Sequence, residues 1–152
     1  MTVFVDASAL VAIVAREPDA LALADCLQGD PDRLCSAVAA WETAAGLCRS
    51  HAVPVDAARA RVRVFLDALG IRLVAIGERE FDLAADAYAR FGEGRHPAAL
   101  NMGDCFAYAC ARAHGARLLF KGDDFRRTDI AAALGAQEPA VALLLAEELA
   151  CG

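Results

Sequence analysis

Residues Thr2–Leu10 read TVFVDASAL, and the fold turns on them. Val3, Phe4 and Val5 are consecutive apolar β-formers. Such a run between helical patterns suits a strand covered on both faces, as in a parallel sheet. Asp6 ends the run. Ser8 follows as a candidate helix cap, and Ala9–Ala15 continue with helical spacing. In open α/β sheets the chemistry gathers at the carboxyl ends of the strands, where Asp6 stands. It either caps the following helix or gives its carboxylate to a site. Other acids arriving at the same edge decide between the two.

The chain beyond this stretch alternates in the same way. Ala9–Arg16 stay helical, Pro18 suits a first helical turn, and Asp19–Gln28 form a second helix. The turn Gly29–Asp32 leads to a short strand over Arg33–Ser36. Ser36 caps a helix from Ala37 to about His51. Val53-Pro54 breaks it, and Asp56–Leu69 form the next helix, stopped by Gly70. Ile71–Ile76 is a β-branched, apolar strand. Glu78–Phe91 is a long helix, and Gly92–Pro97 a polar loop. Gly103–His114 is helical in period and Leu118–Phe120 is a strand. Gly122–Asp129 is a polar turn, Asp129–Leu134 a last strand or helix, and Glu138–Leu149 a helix opened by Pro139. The alternation specifies an α/β fold: a single domain over 1–152, a three-layer α/β/α sandwich with a central, mostly parallel sheet.

Composition narrows the function classes. At 152 residues and 58% hydrophobic, much of it alanine, the chain can bury one real core. No apolar run reaches the roughly 18 residues of a membrane helix, and no basic region precedes the first apolar run. A cytoplasmic location is expected. The six cysteines form no Cys-x-x-Cys pair, which argues against zinc and for reduced core thiols. The net charge of −6 excludes a grip on nucleic acid by bulk charge. For such a substrate, local cations or a bound metal must offset the acidic field.

Four further acids stand at pointed places. Glu42 lies in WETAAGL on an otherwise apolar helix, either on its solvated stripe or facing a cleft. Asp104, in NMGDCFAYACA, opens an apolar helix, where the macrodipole welcomes an anion whether or not it does chemistry. Asp123 and Asp124 follow a strand through Lys121-Gly122 and are turn formers or site residues. The order is the signal: strand–Asp, helix–Glu, helix-start–Asp, strand–Gly–Asp-Asp. Carboxylates crowded into one cleft repel one another unless a hard divalent cation bridges them. Oxygen ligands without His or Cys suit Mg²⁺ or Mn²⁺, ions that bind phosphate oxygens and activate water.

VDASAL, the Glu of AVAAWETAAGL, the NMGDCFAYACA helix and LLFKGDDFRRTDI, in this order, resemble the PIN-domain ribonucleases. The likeness is to the toxin half of VapBC-type toxin–antitoxin pairs, and it covers about Thr2 to Leu134. It implies a metal-dependent endoribonuclease, using Mg²⁺ or Mn²⁺, that cleaves RNA, often structured RNA such as tRNA. It implies a homodimer silenced by a cognate antitoxin. Asp6, Glu42 and Asp104 are then the metal-binding acids, and Ser8 orients Asp6. The fourth acid is Asp124, before Phe125, with Asp123 as the alternative. Lys121, Arg126 and Arg127 flank the acids and are candidates for holding RNA phosphates, or are plain surface charge. Arg59 and Arg63, one helical turn apart, are weaker candidates for RNA or partner contact. The apolar content of several helices also points to a homodimer.

Rival readings each lack a residue. A haloacid-dehalogenase-type phosphatase needs a second Asp where Ser8 stands. A dinucleotide fold needs glycines that DASALVA does not have. A receiver domain lacks its N-terminal acid pair. A catalytically inactive PIN-like binding module would have lost an acid, and none is missing.

Overall fold

The computed structural model describes residues 1–134. Four parallel strands form one sheet in the order β3-β2-β1-β4: β1 (Thr2–Val5), β2 (Asp32–Ser36), β3 (Ile71–Val74) and β4 (Arg117–Leu119). Phe4 lies between Leu34 of β2 and Leu118 of β4, and all three are fully buried. β1 is therefore central, as its unbroken apolar run demands. The edge strand β3 exposes Arg72 and Leu73 and buries Ile71 and Val74.

Six helices flank the sheet: α1 (Ala7–Val14), α2 (Ala20–Gln28), α3 (Ala37–His51), α4 (Val55–Ala68), α5 (Glu78–Phe91) and α6 (Met102–Ala113). The first four pack with one another, and α5 turns back onto α6. Sheet and helices share one core, in which Leu10, Leu23, Leu27, Leu47 and Leu100 are also buried. No helix among the described residues is long and apolar enough to cross a membrane.

Local chemistry accounts for most boundaries. Ser36 caps α3 by accepting the N–H of Ala39 at 3.1 Å. Pro54 precedes α4, whose buried Ala58, Val62 and Leu66 recur at helical spacing. At the start of α1 the structure corrects the expected cap. Asp6, extended at φ −75° and ψ 155°, is the N-cap, and Ser8 sits within the helix. The short Asp6 side chain reaches the N–H two residues on, so the helix begins at Ala7. The expected strand or helix over Asp129–Leu134 is also replaced. That segment makes only an isolated bridge, Leu118 with Ala132, because Asp129 is tied to α5 and α6 instead. The helix expected over Glu138–Leu149 lies outside the described residues. Cys26, Cys35, Cys48, Cys105 and Cys110 are free thiols.

Candidate active site

Two adjacent strands deliver acids to one edge. β1 ends at Asp6, whose N–H donates to the carbonyl of Leu119 in β4 at 2.9 Å. Asp6 is buried, and its Oδ2 accepts two hydrogen bonds from Ser8, from the amide at 3.0 Å and from the hydroxyl at 2.6 Å. The same Ser8 Oγ accepts the backbone N–H of Lys121 at 3.0 Å. Ser8 thus ties the end of β1 to the loop after β4. Burial raises the Asp6 carboxyl above its ordinary value, against the pull of the Ser8 hydrogen bonds.

Glu42 enters from the second turn of α3. Ala39, Thr43, Gly46 and Leu47 bury one face of that helix, while Trp41 stays exposed. Glu42, half-buried, points at α6, where its carboxylate lies against the Cα of Gly103. Any side chain at position 103 would occupy the space of that carboxylate. Burial first, then the charges of Asp6 and Asp104, push the Glu42 carboxyl up to about 7.

Asp104 holds two roles at once. It occupies the third position of α6 and closes a capping box with Asn101: Asp104 Oδ2 accepts the Asn101 N–H at 3.1 Å, and Asn101 Oδ1 accepts the Asp104 N–H at 2.9 Å. The capping reading is therefore true of the local structure. Yet Asp104 is lifted to about 6, by burial first and then by the charges of Asp6 and Asp124, and the cap only moderates this. A carboxylate whose one duty was to cap would be held down.

After β4, Gly122 turns the chain at φ +100°, a left-handed conformation that favours glycine. Asp123 and Asp124 follow, both exposed, before a single 3₁₀ turn over Phe125–Arg127. Phe125 is buried against Phe120, with ring centroids 5.2 Å apart. The two aspartates differ in what they meet. Asp124 charges the surroundings of Asp104. Asp123 has its Oδ1 at 4.0 Å from Nε of Arg126.

The flanking cations have partners within the fold. Lys121 Nζ reaches Glu17 at 2.6 Å and Asp19 at 3.2 Å, and Arg127 donates to the carbonyl of Pro97 at 3.1 Å. Arg126 lies over the Phe120 ring at 5.8 Å. Arg59 pairs with Asp56, and both are exposed.

Asp6, Glu42, Asp104 and Asp124 thus form one electrostatically coupled set drawn from four segments. Among the described residues, no three His, Cys, Asp or Glu side chains stand close enough in this arrangement to hold a metal ion. The donor set still fits a hard divalent cation: it is all oxygen, and Asp6, Glu42 and Asp104 are partly desolvated and resist ionisation. Gly103, which the motif reading passed over, clears the space for Glu42. Its signal was present in the sequence as a glycine one residue before a helix-opening acid.

Comparison with known proteins agrees with the geometry. Residues 3–131 match the PIN domain. The chain is 43% identical over 128 residues to a ribonuclease VapC of Mycolicibacterium smegmatis, covering 84% of this chain and 97% of that protein. The chain belongs to the VapC family of PIN-domain proteins. Ribonuclease VapC30 of Mycobacterium tuberculosis is 40% identical over 127 residues, covering 84% of this chain and 95% of that protein. The crystal structure of VapC20 from M. tuberculosis, a Sarcin-Ricin loop cleaving toxin, shares the fold. Its TM-score is 0.66 at 20% identity, with 85% of this chain and 96% of that chain covered. Within the VapC frame, the acidic edge of β1 and β4 is where this chain concentrates its unusual carboxylates.

Proposed function

We propose that this chain is a metal-dependent endoribonuclease, the toxin of a type II toxin–antitoxin pair. The observation that carries the reading is the convergence of separated acids: burial and the charges of Asp6 and Asp104 raise Glu42, and burial and the charges of Asp6 and Asp124 raise Asp104. Asp6, Glu42, Asp104 and Asp124 would hold Mg²⁺ or Mn²⁺. When bound, such an ion lowers the pKa of water and offsets the charge that develops on the phosphate.

The chain's own residues supply the rest. Ser8 fixes the direction of Asp6 with two hydrogen bonds. Glu42, lifted to about 7 in the metal-free chain, would give up its proton when the ion binds, so metal binding should release a proton and weaken below neutral pH. Arg126 and Arg127, exposed beside the acids, offer cations to RNA phosphates. Lys121 is engaged with Glu17 and Asp19 and contributes by holding the loop.

Two protein partners belong to this reading. α5 exposes Phe81 and Tyr88, seven residues apart on one face, which suits a homodimer. A groove of about 470 Å³ lined by Val14, Leu47, Val53 and Phe65 lies apart from the acids. It suits apolar side chains of an antitoxin. The test is cleavage of a bulk RNA preparation, including tRNA, by the purified protein with Mg²⁺, with Mn²⁺ and with chelator. Cleavage that needs the ion and is lost in Asp6→Asn supports the proposal. Cleavage that persists in chelator, or in Asp6→Asn, refutes it.

A further inference from the structure

The loop that carries Asp123 and Asp124 is tied at its start through Lys121, to Ser8, Glu17 and Asp19. Residues 121–124 are all exposed, and one 3₁₀ turn follows, too short to be stable alone. Phe125 anchors the middle. Beyond it the chain reaches Asp129, whose partners are unusual for a loop residue. Oδ1 accepts the hydroxyl of Tyr108 at 2.6 Å. Oδ2 meets Arg90 of α5 at 2.8 Å and Arg112 of α6 at 2.9 Å. Burial works against ionisation of Asp129, but Tyr108 and the two guanidiniums overcome it and hold the carboxyl well below the usual range.

The position of those partners gives the grip a meaning. Asp104, Tyr108 and Arg112 are spaced by four residues on α6, so they form one stripe of that helix. Asp129 therefore holds the stripe that bears Asp104, about 6 Å along the axis from it. Tyr108 is buried, so its hydroxyl is a fixed point. The loop end is measured against the helix whose first turn carries Asp104, the acid whose surroundings Asp124 charges.

We propose that Asp129 is a positioning residue, which by clasping Tyr108, Arg90 and Arg112 sets Asp124 against Asp104. This rests on the metal-site reading above. A plain structural anchor is the rival, and coupling to Asp124 separates the two.

The test measures Mn²⁺ binding to the purified chain by calorimetry, with RNA cleavage alongside. Asp129→Asn should weaken Mn²⁺ binding about tenfold, the low end of what losing a ligand's outer partner costs. Tyr108→Phe, which removes one hydroxyl and keeps the ring, should act in the same direction and guards against a misfolded Asp129 variant. The double variant Asp124→Asn/Asp129→Asn should bind no more weakly than Asp124→Asn alone, since the two changes act through one carboxylate. Losses that add in the double variant, or unchanged binding in both Asp129→Asn and Tyr108→Phe, overturn the proposal and leave the metal site standing. If Asp124→Asn is silent, the fourth-acid assignment falls and this proposal with it. If Asp104→Asn is silent as well, the metal-site reading itself has failed.

Discussion

Asp104→Asn tests the acidic site by the sign of a stability change. The variant keeps an oxygen that can accept the Asn101 N–H, so the capping box survives, and only the charge is lost. Asp104 is raised from 3.8 to about 6 by burial and by Asp6 and Asp124. For an acid this shift means that the folded state disfavours the charged form. The cost is absent below the unfolded value, grows as pH rises from about 4 to 6, and is full above 6. Some two units correspond to about 3 kcal/mol. Asp104 is partly open to solvent, which cuts this to about 1–2 kcal/mol. In chelator at pH 7.5 the variant should therefore melt about 3–6 °C higher than the parent. The gap should close as pH falls towards 4. With Mg²⁺ the parent should gain stability by mass action, about 2.7 kcal/mol at a hundredfold excess over Kd, and the variant much less. Thermal melts of both proteins at three pH values, with chelator and with Mg²⁺, read all of this. A variant that melts lower in chelator, with its Mg²⁺ response intact, would refute the reasoning, because a helix-end anion worth about 0.3–1 kcal/mol would then be the whole role of Asp104.

Gly103→Ala should displace Glu42, since the added carbon meets its carboxylate; cleavage should fall about tenfold or more, while alanine's helix propensity keeps the melting temperature near the parent's. Normal cleavage in that variant would remove Glu42 from the site. Asp124→Asn should harm cleavage more than Asp123→Asn in a side-by-side assay, because only Asp124 bears on Asp104. Equal losses would count against that choice. Light scattering at micromolar concentration should report a dimer, and Phe81→Ser with Tyr88→Ser on α5 should shift it towards monomer.

Much of this candidate site was legible because Asp6, Asp104 and Asp124 sit at element boundaries. TVFVD announces a buried strand and its end, and Ser36 and Gly115 mark where α3 starts and α6 stops. The order of the acids pointed to one edge before any contact was known. What was not legible was non-local. Lys121 beside an acidic pair suggested a phosphate contact, yet its ammonium turns to Glu17 and Asp19, about a hundred positions away in sequence. Asp129 looked like the start of a regular element, and its three partners on α5 and α6 left no local trace. Ser8 was misplaced as a cap by one short-range competition. Asp6 takes the cap position by accepting the Ser8 amide, and the Ser8 hydroxyl donates to Asp6 and accepts the Lys121 amide instead.

The strand order has a bearing on when the acids can come together. β1 is made first and lies between β2 and β4, and β4 is made last of the four. Until the ribosome has delivered Arg117–Leu119, one edge of β1 has no neighbour and Ser8 has no Lys121 amide to receive. The acids are spread from Asp6 to Asp124, so no fragment of the emerging chain carries a complete set. Long-range parallel pairing of this kind is also slow to form. A chain still being translated therefore lacks the assembled acidic site. The site can assemble only after nearly the whole domain has emerged.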